Sequence, residues 1–207
     1  MGRPVLELKG VSKDRGELRV LRGVDLVVSE GEVLVIRGRS GSGKSTLLRI
    51  CAMLDDAFEG ELRFMGRRRA DRLRLIGYVP QSIDLIETLT LRENIELPLR
   101  LAGVKDDGRP EKMADELEIG HLLDRFPAQV SGGEAQRAAI ARALVKRPKM
   151  IVADEPTSNL DERLEEMVLL RMAELAREGG SAAIVSATSE PAAPGLAVRV
   201  MKDGVLL

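Results

Sequence analysis

A chain of 207 residues with 32 Lys and Arg against 33 Asp and Glu carries a net charge of −1, so no global basic field points to nucleic acid as a partner. One cysteine, Cys51, excludes an internal disulfide. No apolar run reaches the ~18 residues that a membrane span needs, and the N-terminus lacks a signal-peptide pattern, so a soluble, cytoplasmic protein is expected, with any membrane role exercised through a partner.

The length suits one α/β domain with an appended lobe, and the scarcity of aromatics predicts an aliphatic core. Residues 5–9, 24–28 and 33–37 read as strands, with turns expected over 10–16 and at Glu30-Gly31. The run Val33-Leu34-Val35-Ile36 is continuously apolar, which predicts a central buried strand. It leads into Gly38-Arg39-Ser40-Gly41-Ser42-Gly43-Lys44-Ser45, a complete G-x-x-x-x-G-K-S, and Thr46 then opens an amphipathic helix. Glycines let the backbone turn tightly so that its N–H groups converge on phosphate oxygens, and the positive end of the helix favours the anion. The loop therefore predicts a bound nucleoside triphosphate, with Lys44 reaching its β- and γ-phosphates and the Ser45 hydroxyl holding Mg²⁺. Cys51 falls on the apolar side of this helix and reads as an inert core thiol.

Two short strands are expected at 61–65 and 76–79, around Arg67-Arg68-Arg69; without interleaved aromatics these arginines read as a solvated turn. From Leu85 to about Leu123 the pattern becomes helical, broken by Pro98, Gly103 and the polar stretch 106–110. This predicts a helical subdomain over roughly 85–145 within a single domain of 1–207. A helix follows Ser131 and stops before Pro148, and the apolar strand 150–153 ends in Asp154-Glu155. Such a strand delivers Asp154 to the sheet edge beside the phosphate loop, where an acid completes a Mg²⁺ shell, and makes Glu155 a candidate base for an attacking water. A helix from Asp161 to Glu178, strands at 182–186 and 197–201, and a hairpin-type turn at Asp203-Gly204 complete the chain. Strands alternating with helices imply a mainly parallel sheet covered on both faces.

Ser131, Gly132 and Gly133 also stand at a helix N-terminus and form a second anion site. One nucleotide in one domain does not need both sites. A second subunit presenting this helix end across an interface would use both.

Over essentially its whole length the chain resembles the ATP-binding cassette of an ABC transporter. Residues 38–45 match the first nucleotide motif and Gln81 the Q-loop; Ser131-Gly132-Gly133-Glu134 match the signature, Asp154-Glu155 the second nucleotide motif, and Ser158-Asn159-Leu160-Asp161 the D-loop. Residues 95–99 and 154–161 look most like the subgroup serving lipoprotein release, macrolide efflux and cell-division complexes. The resemblance implies a P-loop NTPase core with a mainly parallel sheet, an antiparallel β subdomain and a helical subdomain. It implies a head-to-tail dimer, with itself or another cassette, around two ATPs. Lys44, Ser45, Gln81, Asp154 and Glu155 of one chain would face Ser131 and Gly133 of the other, with Gln81 joining Ser45 and Asp154 around Mg²⁺. It also implies a separate transmembrane permease as partner, and peripheral attachment to the membrane through it.

Two positions depart from the family pattern. Arg15 stands where the family carries an aromatic that stacks on adenine; a guanidinium plane can stack too, and a solvated turn residue is the plain alternative. Ser189 stands where the family carries a histidine that contacts the γ-phosphate. Its hydroxyl can hydrogen-bond phosphate but carries no positive charge, which predicts slow hydrolysis. The only histidine, His121, lies in the helical lobe, away from the motifs. Two further readings stay open: a soluble ATP-driven assembly or repair factor, and a regulatory switch that binds ATP and hardly hydrolyses it.

Overall fold

The run at 33–36 becomes β3 (Val33–Arg37), lying between β7 (Ala182–Ala187) and β8 (Ala197–Lys202) in a six-stranded sheet. The computed structural model describes residues 2–68, 71–105, 107–189, 193 and 196–207, so Arg69, Asp106 and Glu190 lie outside the described residues. The strand order is β5 (Ile76–Val79), β6 (Met150–Asp154), β7, β3, β8, β9 (Val205–Leu206). The first five strands run parallel, and β9 returns antiparallel to β8 through Asp203 and Gly204, both with positive φ. That is the primed turn expected for a two-residue hairpin.

Both faces of this sheet are covered, which explains why its strands are apolar without alternation. On β6, Met150 and Val152 join one core while Ile151 and Ala153 join the other; on β7, Ala182 and Ile184 divide from Ala183 and Val185 in the same way. The first core is closed by α1 (Lys44–Cys51) and by a three-stranded antiparallel sheet, β2 (Leu18–Ser29), β1 (Pro4–Arg15) and β4 (Glu59–Phe64). The second is closed by α3 (Leu91–Ala102), α4 (Arg109–Glu116), α5 (Gly132–Leu144) and α6 (Glu162–Gly179), whereas the short α2 (Arg72–Leu75) has no buried residue. This is an α/β P-loop NTPase fold with a mainly parallel sheet.

Two local expectations give way to the structure. The stretch 10–16 is not a turn: β1 runs through it to Arg15, and the reversal falls at Gly16-Glu17. Gly10, at φ +60°, makes a bulge whose N–H is taken by Asp25 Oδ1 at 2.7 Å, so the strand bends and continues. Pro98 does not break its helix either; α3 passes through it and ends at Gly103, which adopts the left-handed C-cap conformation. Leu91, Ile95, Leu99 and Ala102 are buried on one face of α3, and that burial outweighs the single backbone bond the proline forfeits.

Candidate nucleotide site

The loop at 38–43 joins β3 to α1 at the carboxyl ends of the parallel strands, the edge where open α/β sheets bind ligands. Two glycines are demanded by close approach. A Cβ on Gly38 would stand 2.4 Å from the Met201 carbonyl oxygen, and one on Gly43, at φ +107°, would stand 2.9 Å from that of Val20. Gly43 caps α1 without a side-chain acceptor, so the first N–H groups of the helix are left for a ligand. The Ser42 hydroxyl is buried and has no hydrogen-bond partner among the described residues. An orphaned donor beside an uncapped helix end fits a polyphosphate. A cavity of about 610 Å³ opens along the loop between Gly38 and Ser42 and is walled on its far side by Thr188, Val200, Met201 and Lys202.

Neighbouring strands bring the charged groups to this edge. Asp154 pairs in register with Ser186, and Arg37 with Ala187, so the tips of β6, β7 and β3 lie side by side. Lys44 Nζ donates to Gly38 O at 2.7 Å and to Arg39 O at 3.3 Å, and lies 3.3 Å from Glu155 Oε1. Gln81 Nε2 donates to the other Glu155 oxygen at 3.4 Å. Asp154 is buried, and the Ser186 hydroxyl lies 2.6 Å from its Oδ1. Ser45 is exposed and Thr46 buried. The described residues hold no cluster of three or more His, Cys, Asp or Glu that would cage a metal. One carboxylate and one hydroxyl instead fit Mg²⁺, which binds through one or two protein oxygens and completes its shell with phosphate and water.

Lys44, Gln81, Asp154 and Glu155 thus come together beside the phosphate loop. Ser131, Gly132 and Gly133 stand apart. Ser131 caps α5, its hydroxyl and N–H both bonded to Glu134 Oε2, and Gly133 packs near Asn159 and Leu160. Arg15 is exposed at the tip of the β1–β2 hairpin, whose Val20 carbonyl lies against Gly43. Ser189 is exposed and is not among the residues lining the cavity; Thr188, one residue earlier, is. Cys51 is fully buried, and burial pushes its thiol up to about 12, which keeps it protonated and inert.

Sequence reasoning passed over Thr188, Ser186 and Leu18. Leu18 pairs with Arg15 at the hairpin tip and is 67% exposed. Ser186 carried a legible signal, since a serine inside a buried apolar strand needs a partner.

Residues 21–158 match the family described as ABC transporter. The chain is 41% identical to the macrolide export ATP-binding/permease protein MacB of Wolinella succinogenes across 99% of its own length, and spans about a third of that relative, 34%. It is 40% identical to the lipoprotein-releasing system ATP-binding protein LolD 2 of Caulobacter vibrioides, covering all of this chain and 98% of that one. Its fold matches the dimeric post-hydrolysis structure of the ATP-binding cassette MJ0796 bound to ADP and Pi, with a TM-score of 0.89, 35% identity, and coverage of 97% of this chain and 96% of that one. Family match, relatives and fold agree with the motifs gathered at the sheet edge: the chain belongs to the ABC transporter family, as an ATPase domain of the group that holds its macrolide-export and lipoprotein-release relatives.

Proposed function

We propose that this chain binds and hydrolyses ATP with Mg²⁺ as the motor subunit of an ABC transporter, closing head-to-tail with a second cassette around two ATPs to drive a separate membrane permease. The observation that carries this reading is the convergence of Lys44, Gln81, Asp154 and Glu155 on one sheet edge beside an uncapped phosphate loop. In it, the loop N–H groups from Gly38 to Thr46 cradle the phosphates and Lys44 neutralises them. Ser45, Asp154 and Gln81 hold Mg²⁺, which offsets the charge that builds on the phosphates. Glu155 orients the attacking water and accepts its proton, and Gln81 holds the Glu155 carboxylate toward it. The adenine lies over the β1–β2 hairpin, on Arg15.

The helix end at Ser131 and Gly133 supports the dimer, because it stands apart from the loop of its own chain; a partner's ATP would draw the Ser131 hydroxyl from the Glu134 carboxylate that caps it here. Helices between about 85 and 145 form the lobe that moves with Gln81. A groove of about 180 Å³ beside that lobe, lined by Leu54, Leu73 and Pro98 and by the cationic Arg72, Arg142 and Lys146, supports permease docking. The protein then works in the cytoplasm at the membrane surface; no helix among the described residues is itself long and apolar enough to cross a membrane. Hydrolysis is slow in this reading because the hydroxyls of Thr188 and Ser189 bring no positive charge to the γ-phosphate. Light scattering on the Glu155→Gln variant tests the dimer: MgATP should double the molecular mass, and a mass unchanged by MgATP at saturating concentration contradicts it.

A further inference from the structure

Ser186 is the single polar residue of β7 and is 1% exposed. Its hydroxyl accepts a hydrogen bond from the Glu155 backbone N–H at 2.8 Å and lies 2.6 Å from Asp154 Oδ1. With the N–H already donating to Oγ, the one hydroxyl hydrogen goes to the carboxylate. Glu155 has φ +47°, a left-handed conformation that a residue with a side chain keeps only where its surroundings hold it. The parallel register that sets Asp154 opposite Ser186 places one hydroxyl against both adjacent acids.

We propose that Ser186 is a positioning residue for the hydrolytic pair, an assignment that rests on the ATPase reading above. Through Oδ1 it fixes the rotation of the Asp154 carboxylate, leaving the second oxygen to turn toward Mg²⁺. Through the Glu155 N–H it holds the left-handed turn that aims the Glu155 side chain at Lys44 and Gln81. Ser186 touches neither ATP nor the reacting atoms. Alanine would keep the strand but leave the buried N–H and the carboxylate without this partner, and valine does the same with the shape of threonine.

The test compares Ser186→Ala, Ser186→Val and Ser186→Thr, each checked for folding by thermal unfolding. Two quantities are read: steady-state ATP hydrolysis, and the Mg²⁺ concentration giving half-maximal binding of the fluorescent probe mant-ATP. Loss of the Ser186 hydroxyl should lower kcat roughly tenfold or more and raise the Mg²⁺ midpoint several-fold. KM for ATP should stay within about two-fold, because the phosphate loop is untouched. Ser186→Thr keeps a hydroxyl at this position and should restore both quantities, whereas Ser186→Val should not. Ser186→Ala with unchanged kcat and an unchanged midpoint overturns the assignment, as does a folded Ser186→Thr no better than Ser186→Val. If the wild-type protein does not hydrolyse ATP, the ATPase reading fails by itself. The Mg²⁺ midpoint then still decides, and a midpoint unmoved in Ser186→Ala overturns the positioning role.

Discussion

Lys44 Nζ and Glu155 Oε1 stand 3.3 Å apart, with the two side chains only 4% and 16% exposed. The same ammonium is tied to the carbonyls of Gly38 and Arg39, so the loop's cation is fully engaged by its own chain. In the proposed mechanism an arriving γ-phosphate draws Lys44 away from the carboxylate that afterwards orients the water. Neutralising that carboxylate removes the competitor. Glu155→Gln should therefore bind ATP more tightly by about 0.5–1 kcal/mol, roughly two- to fivefold. Equilibrium titration with mant-ATP measures it, and an unchanged or weaker affinity contradicts the competition.

A histidine restored beside the γ-phosphate should speed turnover. The resemblance assigns the motif position to Ser189, whereas Thr188 lines the cavity, so Ser189→His and Thr188→His separate the two placements. One of them should raise kcat by about tenfold or more, the scale of a single transition-state contact. Phosphate release measured for both variants decides; a gain in neither contradicts the proposal that missing charge here slows hydrolysis.

The segment leading into α3 is tied to that helix by one buried polar side chain. Asn94 is fully buried, accepts from the Ile86 N–H, and donates to the carbonyls of Ile86, Leu89 and Thr90. The Ile86 and Thr90 carbonyls keep backbone donors, so Asn94→Ala strands the Ile86 N–H and the Leu89 carbonyl and should cost about 3 kcal/mol. Thr90→Ala removes only the N-cap of α3 and should cost about 1 kcal/mol. Denaturant unfolding compares them, and equal losses would contradict the ranking.

The cap of α5 predicts a pH dependence. The Ser131 N–H and hydroxyl hold the Glu134 carboxyl below its ordinary 4.5. A carboxyl depressed in the folded state stabilises it above the unfolded value and loses that contribution as pH falls through the folded one. The stability difference between wild type and Glu134→Gln should thus be present at pH 7 and shrink once pH drops below about 4.5. Thermal unfolding on both sides of that value reads it; a difference that grows in acid has the wrong sign.

Local rules carried much of the site. An apolar strand, six loop residues and a helix predicted the phosphate loop, and a second apolar strand placed Asp154 and Glu155 at the same edge. What escaped needed three dimensions. Gly10 reads as a turn because sequence does not say that Asp25 on the next strand takes its N–H. Pro98 reads as a break because the burial that sustains α3 comes from elements distant in the chain. Whether residue 188 or 189 faces the loop depends on where β7 ends, and strand ends are set by pairing with β3 and β6 rather than by composition. Ser186 needed the register that sets it against Asp154.

ATP hydrolysis at the Lys44–Glu155 edge is tested most directly by phosphate release from ATP by the purified protein and by Glu155→Gln, each with and without Mg²⁺. Release should be slow, should require Mg²⁺ and should disappear in the variant. No release above background from the wild-type protein, or equal release from the variant, would contradict it.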